Sequence, residues 1–405
     1  MESERKKPVK PYADFPLTPH NSGKWAKKIK GHLYYFGRWE DPDGALREYN
    51  SVKEALHAGR KPTIGRSKDL NVKELFNKFL DRQVSRVDSD RLDARTFMDA
   101  KKHLQHFGKI VGPARMVSDL GVSDYKAARS DYGTGKGPHA ISRYVSNVKT
   151  AFNFGKKNGF ITHDMVYGDE FSKESVKVHR RSTRERSYTT GAKLFSVFEV
   201  REMLAHADGQ ILAMIYLGLN AGFLAADLSA LPMDALDLDD GWMEFPRTKT
   251  EVMRAAPLWP ETVKAIQDAL MSRPEPKNAA DAGIVFITKY GNRWLHKKVH
   301  RTDGTISKVS SMDAVNHAFR RVLDAAGIRR KGINFSALRT TVATIANEVG
   351  DTNAALLMRG HSFPGMDAFY VKSVVRERLE KVANHVRSKL LCPKPEPKKK
   401  SHKPK

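Results

Sequence analysis

"ALRTTVATIANEVGDTNAALLMRGHSFPGMDAFY", Ala337 to Tyr370, gathers an arginine, a Gly-His pair and a tyrosine into one short stretch. Arg339 precedes His361 by 22 positions (361 − 339), and His361 precedes Tyr370 by 9 (370 − 361). Taken singly these residues say little, since Gly-His pairs are common and a tyrosine on a mixed helix usually belongs to a core or a rim. Their order and spacing say more. Upstream, Lys249 lies in "FPRTKTEVMRAAPLWP", a basic stretch that reads as a β-hairpin ending in a strand and Pro-Leu.

Composition decides which chemistry to look for. A chain of 405 residues has room for roughly two to three domains. Its 40% hydrophobic content fits a soluble globular protein. A formal net charge of +25 gives the folded surface a large positive field, which attracts polyanions. Nucleic acid is the leading partner and a membrane surface the second. The longest apolar run, "ILAMIYLGLNAGF" (Ile211 to Phe223), is too short to span a bilayer and reads as a buried core helix. "MESERKKPVK" carries no apolar h-region, so no secretory signal is expected. The single cysteine, Cys392, excludes an internal disulfide framework and any cysteine-rich zinc site. There is no internal repeat, no P-loop and no HExxH motif. The expected location is the cytoplasm, in association with the nucleoid.

Working outward, the spacing predicts five segments. In residues 1–65, "KWAKKI" and "HLYYFG" alternate as strands about a Lys30-Gly31 turn, and "DPDGALREY" starts a helix with Asp41 as N-cap. Lys24, Lys27, Lys28 and Lys30 crowd this hairpin, with Trp25, Tyr34 and Tyr35 among them. Such a ribbon either enters a major groove and holds phosphates, or is a solvated hairpin with an apolar inner face. Residues 66–170 read as all-helical. Asn71 and Glu74 form a capping pair, and Val72, Leu75, Phe76, Phe79 and Leu80 fall at helical spacing. Ile141, Tyr144, Val145, Val148 and Phe152 repeat that pattern.

Residues 171–194 lack apolar periodicity and hold Arg180, Arg181, Arg184 and Arg186. They read as a flexible basic strap that closes a clamp around a duplex, or as a plain soluble linker. Residues 195–391 mix helices with short strands at "GWMEFP", "APLWP" and "GIVFIT", after a Ser196–Glu199 capping box. They end in an amphipathic helix marked by Val374, Val375, Leu379, Val382, Val386 and Leu390, whose stripe suits packing either on its own domain or on a neighbouring protomer. Residues 392–405, proline- and lysine-rich, are expected to be disordered. The fold class is multidomain α+β: a β-hairpin/helix domain, an all-helical domain, and a mainly helical domain with a small antiparallel sheet.

The hairpin Lys249, the "ALR" Arg339, the "GH" His361 and the "FY" Tyr370 stand as they do in the tyrosine recombinase (phage integrase) family, which the chain resembles from about Phe195 to Leu391. Less specifically, the earlier regions resemble that family's arm-binding hairpin domain and helical core-binding domain. The resemblance implies a site-specific recombinase of mobile elements that binds double-stranded DNA, assembles on it and integrates or recombines it. It implies that the tyrosine hydroxyl attacks a phosphodiester, giving a 3′-phosphotyrosyl enzyme and a free 5′-hydroxyl. Tyr370 would be the nucleophile, Arg339 the bidentate phosphate clamp, Lys249 the general acid for the leaving 5′-oxygen, and His361 a phosphate hydrogen-bond donor. The covalent link conserves the bond energy, so the resemblance implies neither metal, ATP nor another cofactor.

Two positions depart from the family pattern. Its first arginine maps to Leu224 in "GFLAAD", and the histidine three residues before its second arginine maps to Ser336. Leucine neither donates a hydrogen bond nor carries charge, and losing one preorganised donor typically costs about 2.7–4 kcal/mol. Arg247, Arg254 and Arg359 are the candidates to fill the gap. Three readings follow: a recombinase with a modified pocket, a recombinase-derived DNA-binding accessory or regulatory protein without strand chemistry, and a basic nucleoid or RNA-binding protein that matches by accident.

Overall fold

Lys30 and Gly31 both take positive φ, 49° and 86°, the pairing that a two-residue hairpin turn of type I′ requires. They belong to a computed structural model in which residues 7–57, 70–362 and 375–392 are described. The turn joins strands β2 (Lys24–Ile29) and β3 (His32–Arg38), and β1 (Thr18–His20) adds an antiparallel edge that the sequence did not announce. Helix α1 (Pro42–His57) follows, its entry fixed by the Asp41 carboxylate, which accepts from Gly44 N–H at 2.8 Å. Phe15, Leu17, Trp25, Ile29, Phe36, Tyr49 and Leu56 make this module's core.

The chain divides into two units. The first comprises residues 1–79, 108–125 and 149–167; the second comprises residues 80–107, 126–148 and 168–405. Four helices run through the middle of the sequence: α2 (Val72–Asp88), α3 (Ala94–Val111), α4 (Val122–Gly133) and α5 (Pro138–Lys157). Asn71 and Glu74 cap α2 reciprocally, the asparagine side chain accepting from Glu74 N–H at 2.9 Å and the glutamate from Asn71 N–H at 3.2 Å. In the first unit Phe76 meets Phe152 edge-on at 5.7 Å and Phe79 meets Phe154 at 5.6 Å. In the second, Tyr132 stacks on Tyr144 with ring centroids 4.1 Å apart, beside the buried His103.

The segment expected to be a flexible strap is helical. Helix α6 (Val176–Thr190) starts at Ser175, whose hydroxyl accepts from Val178 N–H, and it buries no residue. With no apolar face to sequester, it leaves no periodic signal. Its support is local: the Ser175 cap and an Arg181–Glu185 pair four residues apart at 2.8 Å.

The rest of the second unit is built on α8 (Gly209–Ala221), apolar nearly all round and buried along most of its length. Helices α7 (Val197–Ala205), α9 (Ala225–Ala230), α10 (Pro260–Met271), α11 (Ala314–Ala325), α12 (Ser336–Ala346), α13 (Thr352–Leu357) and α14 (Arg376–Leu391) complete the helical part. A small antiparallel sheet pairs β4 (Leu236–Asp237), β5 (Trp242–Glu244) and β6 (Ala255–Pro257) in that order. "GIVFIT" is not a strand. It makes two isolated bridges, Ile284 to Pro232 and Ile287 to Arg293, because no continuous partner runs beside it, yet Val285 to Ile287 are buried as its apolar character requires.

A second hairpin, β7 (Leu295–Thr302) and β8 (Thr305–Asp313), was not expected, because Ile306 is its one buried apolar residue among otherwise solvated strands. Lys297 pairs with Asp93, Arg301 with Asp88, and Lys101 donates to the Ile306 carbonyl at 2.9 Å.

Helix α14 docks on its own domain, one of the two packings its apolar stripe suits. Leu379, Val382, Ala383, Val386 and Leu390 are buried in the core, and the Trp259 indole donates to the Ala383 carbonyl at 3.0 Å. Arg378–Asp351 (2.7 Å) and Arg387–Glu261 (2.6 Å) pin the helix along its length. Val374 lies outside the described residues and Val375 is exposed. Among the described residues no helix is long and apolar enough to cross a membrane.

Candidate active site

Four arginines converge where α8, the β5–β6 connection, α12 and the turn after α13 meet, and two glycines let them approach. Gly222 ends α8 in the left-handed conformation (φ 64°); a β-carbon there would lie 3.3 Å from Cγ of both Arg339 and Arg359. Gly360 (φ 62°) faces the opposite pair, with its β-carbon position 2.9 Å from Cβ of Arg247 and 3.4 Å from that of Arg254.

Arg339 projects from the first turn of α12 and is buried. Its guanidinium donates through Nη1 to the Gly222 carbonyl at 2.7 Å and through Nη2 to the Arg359 carbonyl. It is held by two backbone carbonyls, and among the described residues no carboxylate is ion-paired to it, although the Asp227 charge partly offsets its own. Burial first, then the charges of Arg247 and Arg254, push its pKa down to about 9. Arg359 is also buried, its Nε tied to the Ala355 carbonyl at 2.7 Å.

Arg254 is enclosed completely, lying over the Phe223 ring at 3.6 Å and donating to Asp227 at 3.4 Å. Burial lowers its pKa to about 10 against the opposing pull of Asp227. Asp227 also organises the loop: it accepts from Leu224 N–H at 3.0 Å and, through its other oxygen, from the Thr248 hydroxyl at 2.9 Å. The turn that carries Lys249 is thereby fixed at Thr248, and Arg247 N–H closes it onto the Val252 carbonyl at 2.9 Å. Lys249 itself is exposed at the tip.

His361 follows Gly360 and is half-buried, its N–H on the Leu356 carbonyl at 3.0 Å. Burial and the charges of Arg339, Arg247 and Arg359 push its pKa down to about 4. At neutral pH it is an uncharged imidazole, fit to donate one hydrogen bond. Arg339, His361 and the Lys249 turn therefore belong to one cluster. Tyr370 lies outside the described residues.

Leu224 is half-buried and caps α9 only through its backbone. Ser336 is exposed, its hydroxyl donating to Asn334 at 2.5 Å, so neither side chain supplies a donor to the cluster. The sequence had named Arg247, Arg254 and Arg359 as candidates for the gap; it held no signal that all three would be gathered here by Gly222 and Gly360. Among the described residues no group of three or more His, Cys, Asp or Glu could hold a metal ion.

The basic residues singled out elsewhere are distributed differently. Lys24, Lys28 and Lys30 are exposed on the N-terminal sheet, whereas Lys27 is half-buried, donating to the Pro16 carbonyl at 3.0 Å with its ammonium 5.2 Å from the Tyr49 ring centroid. Arg180, Arg181, Arg184 and Arg186 are all exposed on α6.

Comparison with known proteins bears on this cluster directly. Residues 193–376, which include every residue of it, match the model of the phage integrase family. The domain belongs to that family of tyrosine recombinases. The chain is 25% identical over 177 residues to tyrosine recombinase XerC of Pseudomonas syringae pv. syringae, covering 44% of this chain and 56% of the relative. XerC of Pseudomonas fluorescens is 25% identical over 159 residues, covering 39% and 50%. The chain thus spans about half the length of the curated relatives it matches.

In fold, the integrase domain and what precedes it are similar to a lambda integrase tetramer bound to a Holliday junction (TM-score 0.50, 16% identity, covering 89% of this chain and 97% of that one). They are also similar to the integrase of transposon Tn1549 in complex with a circular intermediate DNA (TM-score 0.52, 16% identity, covering 77% and 98%).

Proposed function

We propose that the protein is a site-specific recombinase that binds duplex DNA and breaks and rejoins its strands through a 3′-phosphotyrosyl intermediate. One observation carries the reading: in a phage integrase domain, Arg339 is cradled between the Gly222 and Arg359 carbonyls, in one cluster with His361 and the Lys249 turn. A buried, unpaired guanidinium is costly to hold. Two non-bridging phosphate oxygens are the ligand whose shape and charge suit its planar fork.

In this reading the Tyr370 oxygen attacks phosphorus and its phenolic proton leaves to solvent. The bond from phosphorus to the 5′-oxygen breaks, and Lys249 protonates that oxygen as it departs. Neutral His361 donates one hydrogen bond to the phosphoryl group. Residues 1–65 act as an arm-type DNA-binding module through Lys24, Lys28 and Lys30, with Lys27 lending charge from within its packing. Residues 66–170 grip the core site, and residues 171–194 add Arg180, Arg181, Arg184 and Arg186. The protein acts in the cytoplasm on nucleoid DNA, and several copies assemble on the target.

A second reading, a DNA-binding accessory protein without strand chemistry, is favoured by Leu224 and Ser336, which supply no donor to the cluster. Nicked suicide duplexes separate the two. Duplexes enriched from a randomised pool by affinity for the protein are nicked at successive positions, and covalent adducts are scored on denaturing gels. The recombinase reading expects an adduct from the wild type and none from Tyr370→Phe at equal DNA occupancy. Bound, folded wild type that yields no adduct at any nick position establishes the accessory reading.

A further inference from the structure

Leu224 leaves the cluster one cation short of the family pattern, and three arginines stand near the gap. Two are already committed. Arg254 is fully enclosed, stacked on Phe223 and paired with Asp227. Arg359 is buried with its Nε spent on the Ala355 carbonyl.

Nε and Nη2 of Arg254 also lack hydrogen-bond partners but are sealed from solvent, and Arg247 differs in access and in having no acid paired to it. It is half-buried, so part of its side chain reaches solvent. Its Nε is buried without a hydrogen-bond partner, and among the described residues no carboxylate stands within ion-pair distance of it. Its backbone is rigidly placed: the N–H bonds Val252 O at 2.9 Å, and the carbonyl accepts from Thr250 and Glu251 N–H at 3.1 and 2.8 Å. Its Cβ packs on Gly360, the residue between Arg359 and His361, where only a glycine allows that approach.

We propose that Arg247 is the second phosphate-binding guanidinium of this site, replacing from the β5–β6 connection the arginine that Leu224 cannot provide at the end of α8. This assignment rests on the recombinase reading above. The Arg247 guanidinium makes no hydrogen bond to another described residue, so the end that reaches solvent is left for a ligand, and a phosphodiester oxygen seated on Arg339 and His361 lies within the field of Arg247. Both of those residues register that field: after burial, Arg247 is the foremost charge depressing the Arg339 pKa, and it is second only to Arg339 at His361. Two cations so close repel in the free protein, and a bound dianionic transition state turns that repulsion into attraction for both. The replacement also explains how Leu224 is tolerated, because charge at the phosphate depends on where a guanidinium arrives rather than on which element carries it.

The test uses the full chain and the nicked duplexes described above. Arg247→Ala is expected to slow adduct formation by about 10²–10³-fold while DNA affinity changes by less than about threefold, since one phosphate contact among several is lost. Arg247→Lys, which keeps the charge without the fork, is expected to fall between. Adding Leu224→Arg to Arg247→Ala is expected to restore part of the rate. Thermal midpoints measured alongside separate a misfolded variant from a chemically impaired one, and Arg247→Lys keeps the test valid if the alanine protein unfolds. Wild-type rates from folded Arg247→Ala or Arg247→Lys, on a probe where Tyr370→Phe gives no adduct, overturn the assignment and leave the recombinase reading standing. No adduct from the wild type overturns both.

Discussion

Gly360 and Arg247 meet so closely that a β-carbon on the glycine would lie 2.9 Å from Cβ of the arginine, at a backbone φ of 62°. The contact joins the turn carrying His361 to the turn carrying Lys249. Gly360→Ala is therefore expected to cost about 1–3 kcal/mol, from strained backbone and from the displaced neighbour. A thermal midpoint unchanged from wild type would show that the two turns are not braced against each other.

Asp227 compensates a fully buried arginine while holding Leu224 N–H and Thr248. Asp227→Ala strands the Arg254 charge and is expected to destabilise the domain by about 3–5 kcal/mol. Urea unfolding measures this directly, and a loss below about 1 kcal/mol would mean that the stack on Phe223 suffices.

His103 predicts an acid limb. Its Nδ1 accepts from Asn147 at 2.7 Å and its Nε2 lies 2.9 Å from the Tyr132 hydroxyl, an arrangement that suits the neutral ring. Burial depresses its pKa from 6.5 to about 4, with Asp99 opposing and Arg143, Lys102 and His106 adding to the depression. Between those values the unfolded chain binds the proton that the folded protein refuses. Stability is thus fully present above pH 6.5 and falls as pH drops toward about 4. The loss is on the order of 2–3 kcal/mol from this residue, and His361 acts in the same direction. Unfolding curves at stepped pH are expected to show this decline, and His103→Gln to flatten it. An equal decline in the variant would assign the limb elsewhere.

Truncation after residue 375 removes α14, whose five buried apolar residues complete the domain core. We expect the shortened protein to lose cooperative unfolding rather than merely lose assembly on DNA. A sharp thermal transition in the truncated chain would return α14 to the role of an exchangeable docking helix.

Binding to duplex DNA is expected to weaken by about 10³–10⁵-fold between 50 and 200 mM salt if roughly 6–10 phosphates are neutralised. Fluorescence anisotropy at stepped salt reads the slope, and a flat one would remove the electrostatic basis of the proposed interface.

Elements whose cause is local were legible in the sequence. The Lys30-Gly31 turn, the Asn71–Glu74 and Ser196–Glu199 boxes and the continuous apolar run of α8 each carry their determinants within a few residues. What was hidden is set by distant partners or by water. The amphipathic stripe of α14 announces a buried face without saying which surface buries it. Strands β7 and β8 have solvent on most of their length, so no alternation marks them. At the site, the family resemblance pointed to Arg339 and His361, and the structure brings these two into one cluster. The gathering of Arg247, Arg254 and Arg359 depends on two left-handed glycines, Gly222 and Gly360, separated by 138 positions (360 − 222). No periodicity reports contacts of that range.

Helix α6 has a consequence for reach. It buries none of its 15 residues, and near its start His179 lies 3.1 Å from the Ser142 hydroxyl and beside His139. A helix of that length is marginal in water when nothing packs against it. Coiled, 15 residues cover about 22 Å; drawn out, the same residues cover about 50 Å. How far the segment reaches therefore follows the helix–coil balance of its solvent-facing Ser, Thr and Arg residues. Temperature, salt and anions bound to those arginines all act on that balance, so the length of this segment answers to the solution as well as to the chain.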